Sequence, residues 1–203
     1  MPLPNDSAAQ RRFAQKAEQI LEGATRVFLE RGYGGASMDR VAKASGVSKQ
    51  TLYSHFADKE DLFTALVERM SRRRLEDAFG FVSTSGSVEG NPKAVLRDLV
   101  RYTLKQLSAD EEYHDFVRLM IGESKRFPEL AETFMRNVTR PSMMKLKEYL
   151  AGSDELEIKD PEATAHVLLG TVVFFMLSQE IMPGKSVMPI ESDRLADTLV
   201  AML

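Results

Sequence analysis

The sequence predicts an all-α fold. Three observations carry this. Apolar residues recur at helical spacing from Phe13 almost to the C-terminus. Asn91-Pro92 and Asp160-Pro161 each set a capping side chain before a proline, whose missing N–H costs nothing at the first helical position. No segment sustains the two-residue alternation of a half-buried strand.

In order along the chain, Phe13, Ala17, Ile20, Leu21, Ala24 and Phe28 share one helical face, and Arg31-Gly32 ends that helix with a basic turn and a glycine stop. Ser37 caps a short second helix carrying Met38, Val41 and Ala42, which Gly46 ends. Ser48 caps a third, in which Leu52 and Phe56 share a face. Asp58 caps a long fourth, through Leu62, Phe63, Leu66, Val67 and Met70 towards Phe79. The Ser/Gly-rich stretch 82–91 predicts a loop. Helices are then expected at about 92–108, 110–126, 128–150, 161–182 and 191–202.

A chain of 203 residues buries a core without staples, and with no Cys it has no disulfides, thiolate metal sites or cysteine chemistry, which suits a cytoplasmic protein. The N-terminus lacks the charged-then-apolar order of a secretory signal. The uncharged run 163–179 is broken by Thr164, His166, Thr171 and Ser178, so it reads as a buried helix rather than a membrane span. Net charge is -3, but residues 1–74 hold 13 Lys/Arg against 9 Asp/Glu while the rest is acidic. A locally basic head on an acidic body suits phosphate attraction, which acts over a Debye length of about 10 Å.

Two short helices joined by a glycine turn and preceded by a longer one match a helix-turn-helix, whose second helix enters the DNA major groove. On that helix Gln50 and Ser54 point away from the core, with Thr51 and Tyr53 on the flanks. Lys49 suits guanine O6 or N7 and Gln50 suits a bidentate adenine pair. Thr51 offers a methyl to thymine and a hydroxyl to phosphate. Ser37 and the N–H groups of its helix start suit another phosphate, and the cap Ser48 is grouped with this DNA-facing set.

The residues Gly32-Tyr33, Ala36-Ser37-Met38, Val41-Ala42, Ala44-Ser45-Gly46-Val47-Ser48, Thr51-Leu52-Tyr53, His55-Phe56, Lys59 and Leu62 resemble the N-terminal signature of the TetR family. The stretch 118–135 resembles, less strongly, the AcrR-type C-terminal domains. The resemblance implies that Tyr53 and His55 reach the DNA backbone or base edges and that Lys59 contacts phosphate. It further implies a bacterial homodimeric repressor, bound to an inverted-repeat operator and released by a small effector. The expected domains are 1–58 for DNA binding and 59–203 for ligand sensing and dimerisation, with helix 59–79 connecting them.

Helix 161–182 is apolar nearly all round and needs cover on two sides. A second copy of the chain is the expected cover, through Val167, Gly170, Thr171 and Phe174 together with Leu199 of the last helix. Eight of the eleven Met lie from Met120 onward among aromatic residues, a soft composition suited to an apolar or amphipathic ligand. Tyr102, Phe116, Met120, Phe134, Met135 and Phe174 are the expected lining.

An enzyme is not expected, nor a cofactor. The Glu-x-x-His of Glu111 and His114 and the one-turn pair Glu162 and His166 fall short of the ligand set of a di-iron bundle. His114 reads as part of a charged helix start and His166 as a hydrogen-bonded buried residue. No Ser–His–acid set or phosphate-cradling glycine loop stands out.

Overall fold

The computed structural model describes residues 5–84 and 91–203, and every regular element among them is helical. The α-helices are α1 (Asn5–Gly35), α2 (Met38–Ser45), α3 (Lys49–His55), α4 (Lys59–Thr84), α5 (Pro92–Ala109), α6 (Glu111–Glu123), α7 (Pro128–Phe134), α8 (Arg140–Ala151), α9 (Pro161–Phe175), α10 (Gly184–Val187) and α11 (Ser192–Ala201). The expected caps operate. Asn91 accepts from the N–H groups of Lys93 and Ala94, and Asp160 accepts from that of Ala163. α4 runs to Thr84, into the stretch read as a loop, and residues 85–90 lie outside the described residues, as do the side chains of Leu75 and Phe79.

The helix expected over 128–150 is broken by a π-helical turn, Met135–Thr139, which ends two residues before Pro141. Pro141 has no N–H to donate into the ladder, and the backbone accommodates this by widening the turn. A second π-turn, Met176–Ile181, closes α9, where the N–H of Met182 reaches back to the Leu177 carbonyl at 2.9 Å. The short α10 was not anticipated. It begins at Gly184, where a Cβ would overlap the Ser178 carbonyl oxygen, so only glycine fits.

The chain gathers into two compact units. The first comprises the described residues up to Arg69 together with Leu119–Phe134. Its core holds Ile20, Ala24, Phe28, Val41, Leu52, Leu62, Phe63, Leu66 and Val67. Phe28, Tyr33 and Phe63 meet with centroids 5.3 to 5.7 Å apart. Phe127 meets Tyr33 edge-on at 5.1 Å, while Glu123 approaches so closely that a Cβ on Gly32 would stand 2.5 Å from its Oε1. Gly32 itself has φ of 69°, which breaks α1 at the predicted stop.

The second unit comprises Met70–Arg118 and Met135–Leu203. Its core joins Leu96, Val100 and Leu104 of α5 to Leu150 of α8, to Leu156 of the 3-10 turn Asp154–Leu156, to Ala165, Leu168, Val172 and Phe175 of α9, and to Ala196, Leu199 and Val200 of α11. A ladder of ion pairs flanks it. Arg101 holds Asp197 at 2.6 Å, and Lys105 holds Asp193 at 3.1 Å. Leu199, expected at a dimer interface, is instead 6% exposed in the core of its own chain.

Among the described residues one helical run, Pro161–Ile181, is long and apolar enough to cross a membrane. Its buried side packs in the core, while Val167, Gly170, Val173 and Phe174 form an exposed row at spacings of three and four residues.

Candidate nucleic-acid interface

The two short helices are held by local chemistry at every end. Ser37 accepts from the N–H of Arg40 at 3.4 Å, and Ser48 Oγ accepts from the N–H of Thr51 at 3.0 Å while also bonding its hydroxyl at 2.8 Å. Gly46 ends α2 with φ of 64°, and the N–H groups of Gly46 and Val47 bond back to Lys43 and Ala42.

α1 grips the turn between α2 and α3 from behind. Gln19 donates to the Ser45 carbonyl at 2.5 Å and Arg26 to the Ala44 carbonyl at 2.7 Å, which satisfies carbonyls that the end of a helix leaves bare. The helices touch at Gly23, where a Cβ would overlap Ser45 Oγ and stand 2.8 Å from its backbone N. Leu52, fully buried, anchors α3 from below.

What α3 turns outward is Lys49, Gln50, Tyr53 and Ser54, with Thr51 half-buried on the flank. Tyr53 is 52% exposed, a large aromatic that the core does not use. Lys49 forms a 2.7 Å ion pair with Asp39 in the first turn of α2. Both partners are mostly exposed, so the pair is worth about 1 kcal/mol or less.

Two expected DNA contacts have internal partners that the sequence did not reveal. His55 is half-buried, with its ring stacked on Phe13 at 3.9 Å, and burial together with the charge of Lys16 lowers its pKa. Lys59 donates to the Tyr33 carbonyl at 2.9 Å and lies over the Tyr33 ring at 4.2 Å. Both contacts join residues more than 20 positions apart, beyond the reach of a helical pattern.

The expected ligand-lining residues are dispersed. Phe116 and Met120 are buried, Tyr102 and Phe134 are half-buried, and Met135 and Phe174 are 55% and 63% exposed. Met120 and Phe134 belong to the first unit and the other four to the second.

His114 lies at the charged start of α6 and His166 is hydrogen-bonded, as read from the sequence, but their burial differs from that reading. His114 is buried with Nε2 2.6 Å from the Leu107 carbonyl, and His166 is exposed with Nδ1 2.9 Å from the Glu162 carbonyl. Among the described residues no three His, Asp or Glu converge in a way that could hold a metal ion.

Residues 20–66, the helix-turn-helix and its supports, match the family model of bacterial regulatory proteins of the tetR family. Residues 94–203, more than half of the chain, match that of the AefR-like transcriptional repressor C-terminal domain. The chain belongs to the TetR family. The TetR-family resemblance read from the sequence is thereby established, and the all-α fold with it.

One similar relative is the HTH-type transcriptional repressor AcnR of Corynebacterium efficiens, 39% identical over 104 residues, covering 47% of this chain and 53% of that protein. The chain thus spans about half the length of the first curated relatives it matches. Among solved structures, a protein of Mesorhizobium loti MAFF303099 assigned to the TetR family is 28% identical with a TM-score of 0.76, covering 94% of this chain and 96% of that one. The flavonoid-responsive regulator FrrA is 26% identical with a TM-score of 0.67, covering 93% and 95% respectively.

Proposed function

We propose that this TetR-family chain is a cytoplasmic, homodimeric transcriptional repressor that binds an inverted-repeat operator and is released by a small apolar or amphipathic ligand. The observation that carries the reading is α3 itself. A seven-residue helix is capped at its start, gripped from behind through the turn, and spends its outward face on Lys49, Gln50 and Tyr53 rather than on any core. Such a helix is built to enter a major groove, with phosphate contacts placing it and base contacts specifying sequence. AcnR, a repressor, shares the greatest identity with the chain among the relatives described above.

Dimerisation is supported by the exposed row on α9, apolar surface of the kind that marks an interaction site. Two heads related by a two-fold axis would read two half-sites. Selection from random DNA should return an inverted repeat, and recovery of only asymmetric or unrelated sites overturns the reading.

A flavonoid-responsive neighbour and the Met-rich C-terminal half support an apolar or amphipathic effector, and regulation rather than catalysis. α4 contributes residues to both compact units, which makes it the element through which a ligand would act on DNA binding. Coupling of this kind is typically about 1 to 3 kcal/mol and is reciprocal. A ligand whose affinity is the same with and without operator overturns the sensing mechanism.

A further inference from the structure

We propose that α1 supplies a second DNA contact, with Arg12 taking a backbone phosphate beside the C-terminal end of α3. The inference rests on the reading that α3 enters the major groove.

Arg12, Gln19 and Arg26 stand seven residues apart. Seven residues is two helical turns less about 20°, so the three form one row along α1. Gln19 and Arg26 spend their side chains on the carbonyls of Ser45 and Ala44 at the end of α2. The row therefore faces the helix-turn-helix. Arg12 is its next member, about 10 Å further towards the N-terminus, and α3, seven residues long, spans about the same distance.

A second contact fixes where the row ends. Phe13, beside Arg12, stacks on His55, the last residue of α3, at 3.9 Å. Lys16 lies close enough for its charge to act on the same imidazole. The first turns of α1 thus run alongside α3 from the preceding turn to its final residue. Phe13 is 56% exposed although it lies on the core-facing stripe of α1. That stripe has left the core by this point and serves to hold α1 against α3.

Arg12 is exposed at this junction, on a head whose first 74 residues carry excess positive charge. A recognition helix reads base edges mainly with its N-terminal residues, and its far end lies towards the sugar-phosphate wall of the groove. A guanidinium there meets phosphate, which it binds in forked geometry.

Arg11 provides the control. It carries the same charge one residue away, but about 100° round the helix and off the row. Binding of full-length protein to its selected inverted repeat is measured by fluorescence anisotropy from 0.05 to 0.3 M salt, for wild type, Arg11→Ala and Arg12→Ala. Arg12→Ala should flatten the slope of log K against log salt by about 0.9 per head and cost about eightfold per phosphate at 0.1 M. Preference among base substitutions in the site should stay as in wild type, and Arg11→Ala should keep the wild-type slope. An unchanged slope for Arg12→Ala, or equal losses in both variants, overturns the proposal. A wild-type protein without sequence-specific binding overturns the underlying reading of α3 as well.

Discussion

Lys59 holds Tyr33 twice, donating to its carbonyl oxygen at 2.9 Å and standing 4.2 Å from the centroid of its ring. The first residue of α4 is thereby bound to the last residues of α1, beyond the break at Gly32, before any DNA is present. Lys59→Ala should cost about 1 to 2 kcal/mol of stability in urea unfolding and weaken all DNA sequences alike. Weakened DNA binding with unaltered stability would make Lys59 a phosphate contact alone.

The same tyrosine makes the head sensitive to alkali. Burial, aided by the negative charges of Glu60, Glu129 and Asp58, pushes the Tyr33 phenol up to about 12. The folded state holds this proton more tightly than the unfolded chain, so its contribution is complete below about pH 10 and disappears as pH rises towards 12. The unfolding free energy from urea titrations across that window should fall by roughly 2 kcal/mol in wild type and much less in Tyr33→Phe. Parallel curves for the two proteins would place the titrating group elsewhere.

Gly23 sets the distance between α1 and α2. A methyl there overlaps Ser45 Oγ, and the Ser45 backbone N, 2.8 Å away, cannot rotate aside. Gly23→Ala should therefore cost about 1 to 3 kcal/mol, and adding Ser45→Ala should not restore it. Full rescue by the double variant would show that the hydroxyl, rather than the backbone, is the obstacle.

Asp39 occupies Lys49, the side chain proposed to meet DNA. Removing the carboxylate frees the ammonium and deletes a negative charge on the DNA-facing side, while an exposed pair adds little to folding. Asp39→Ala should tighten DNA binding several-fold at low salt with thermal stability nearly unaltered, and Lys49→Ala should weaken it. Equal affinity for wild type and Asp39→Ala would remove Lys49 from the interface.

Gly170 separates folding from association. A Cβ at this position meets nothing within 4 Å in its own chain. Gly170→Leu should leave the circular dichroism spectrum of the protein as it is and lower self-association in sedimentation equilibrium. Unaltered association would put the row of Val167, Gly170 and Phe174 outside the dimer contact.

What the sequence made legible was whatever neighbours decide among themselves. Ser37, Ser48, Asn91 and Asp160 cap helices by bonding N–H groups two or three residues on, and Gly32 and Gly46 stop them through backbone angles that side chains resist. The outward set on α3 followed from its period. Illegible were the partners brought in from afar: Phe13 for His55, Tyr33 for Lys59, and Phe127 for Tyr33. The π-turns were missed because one widened turn barely shifts an apolar stripe. Leu199 and Phe174 are equally apolar, so only packing could show that the first is core and the second surface.

The first compact unit draws Glu123, Arg126 and Phe127 from the far side of the chain to close on Gly32, Tyr33 and Gly34. A gene fusion that exchanged heads between relatives at residue 70 would leave this patch behind in the recipient, facing a foreign turn. Chimeras that carry 119–134 along with the head should fold and bind DNA where simple fusions fail. Recombination that parts these two stretches of gene would therefore part Tyr33 from the ring that packs on it.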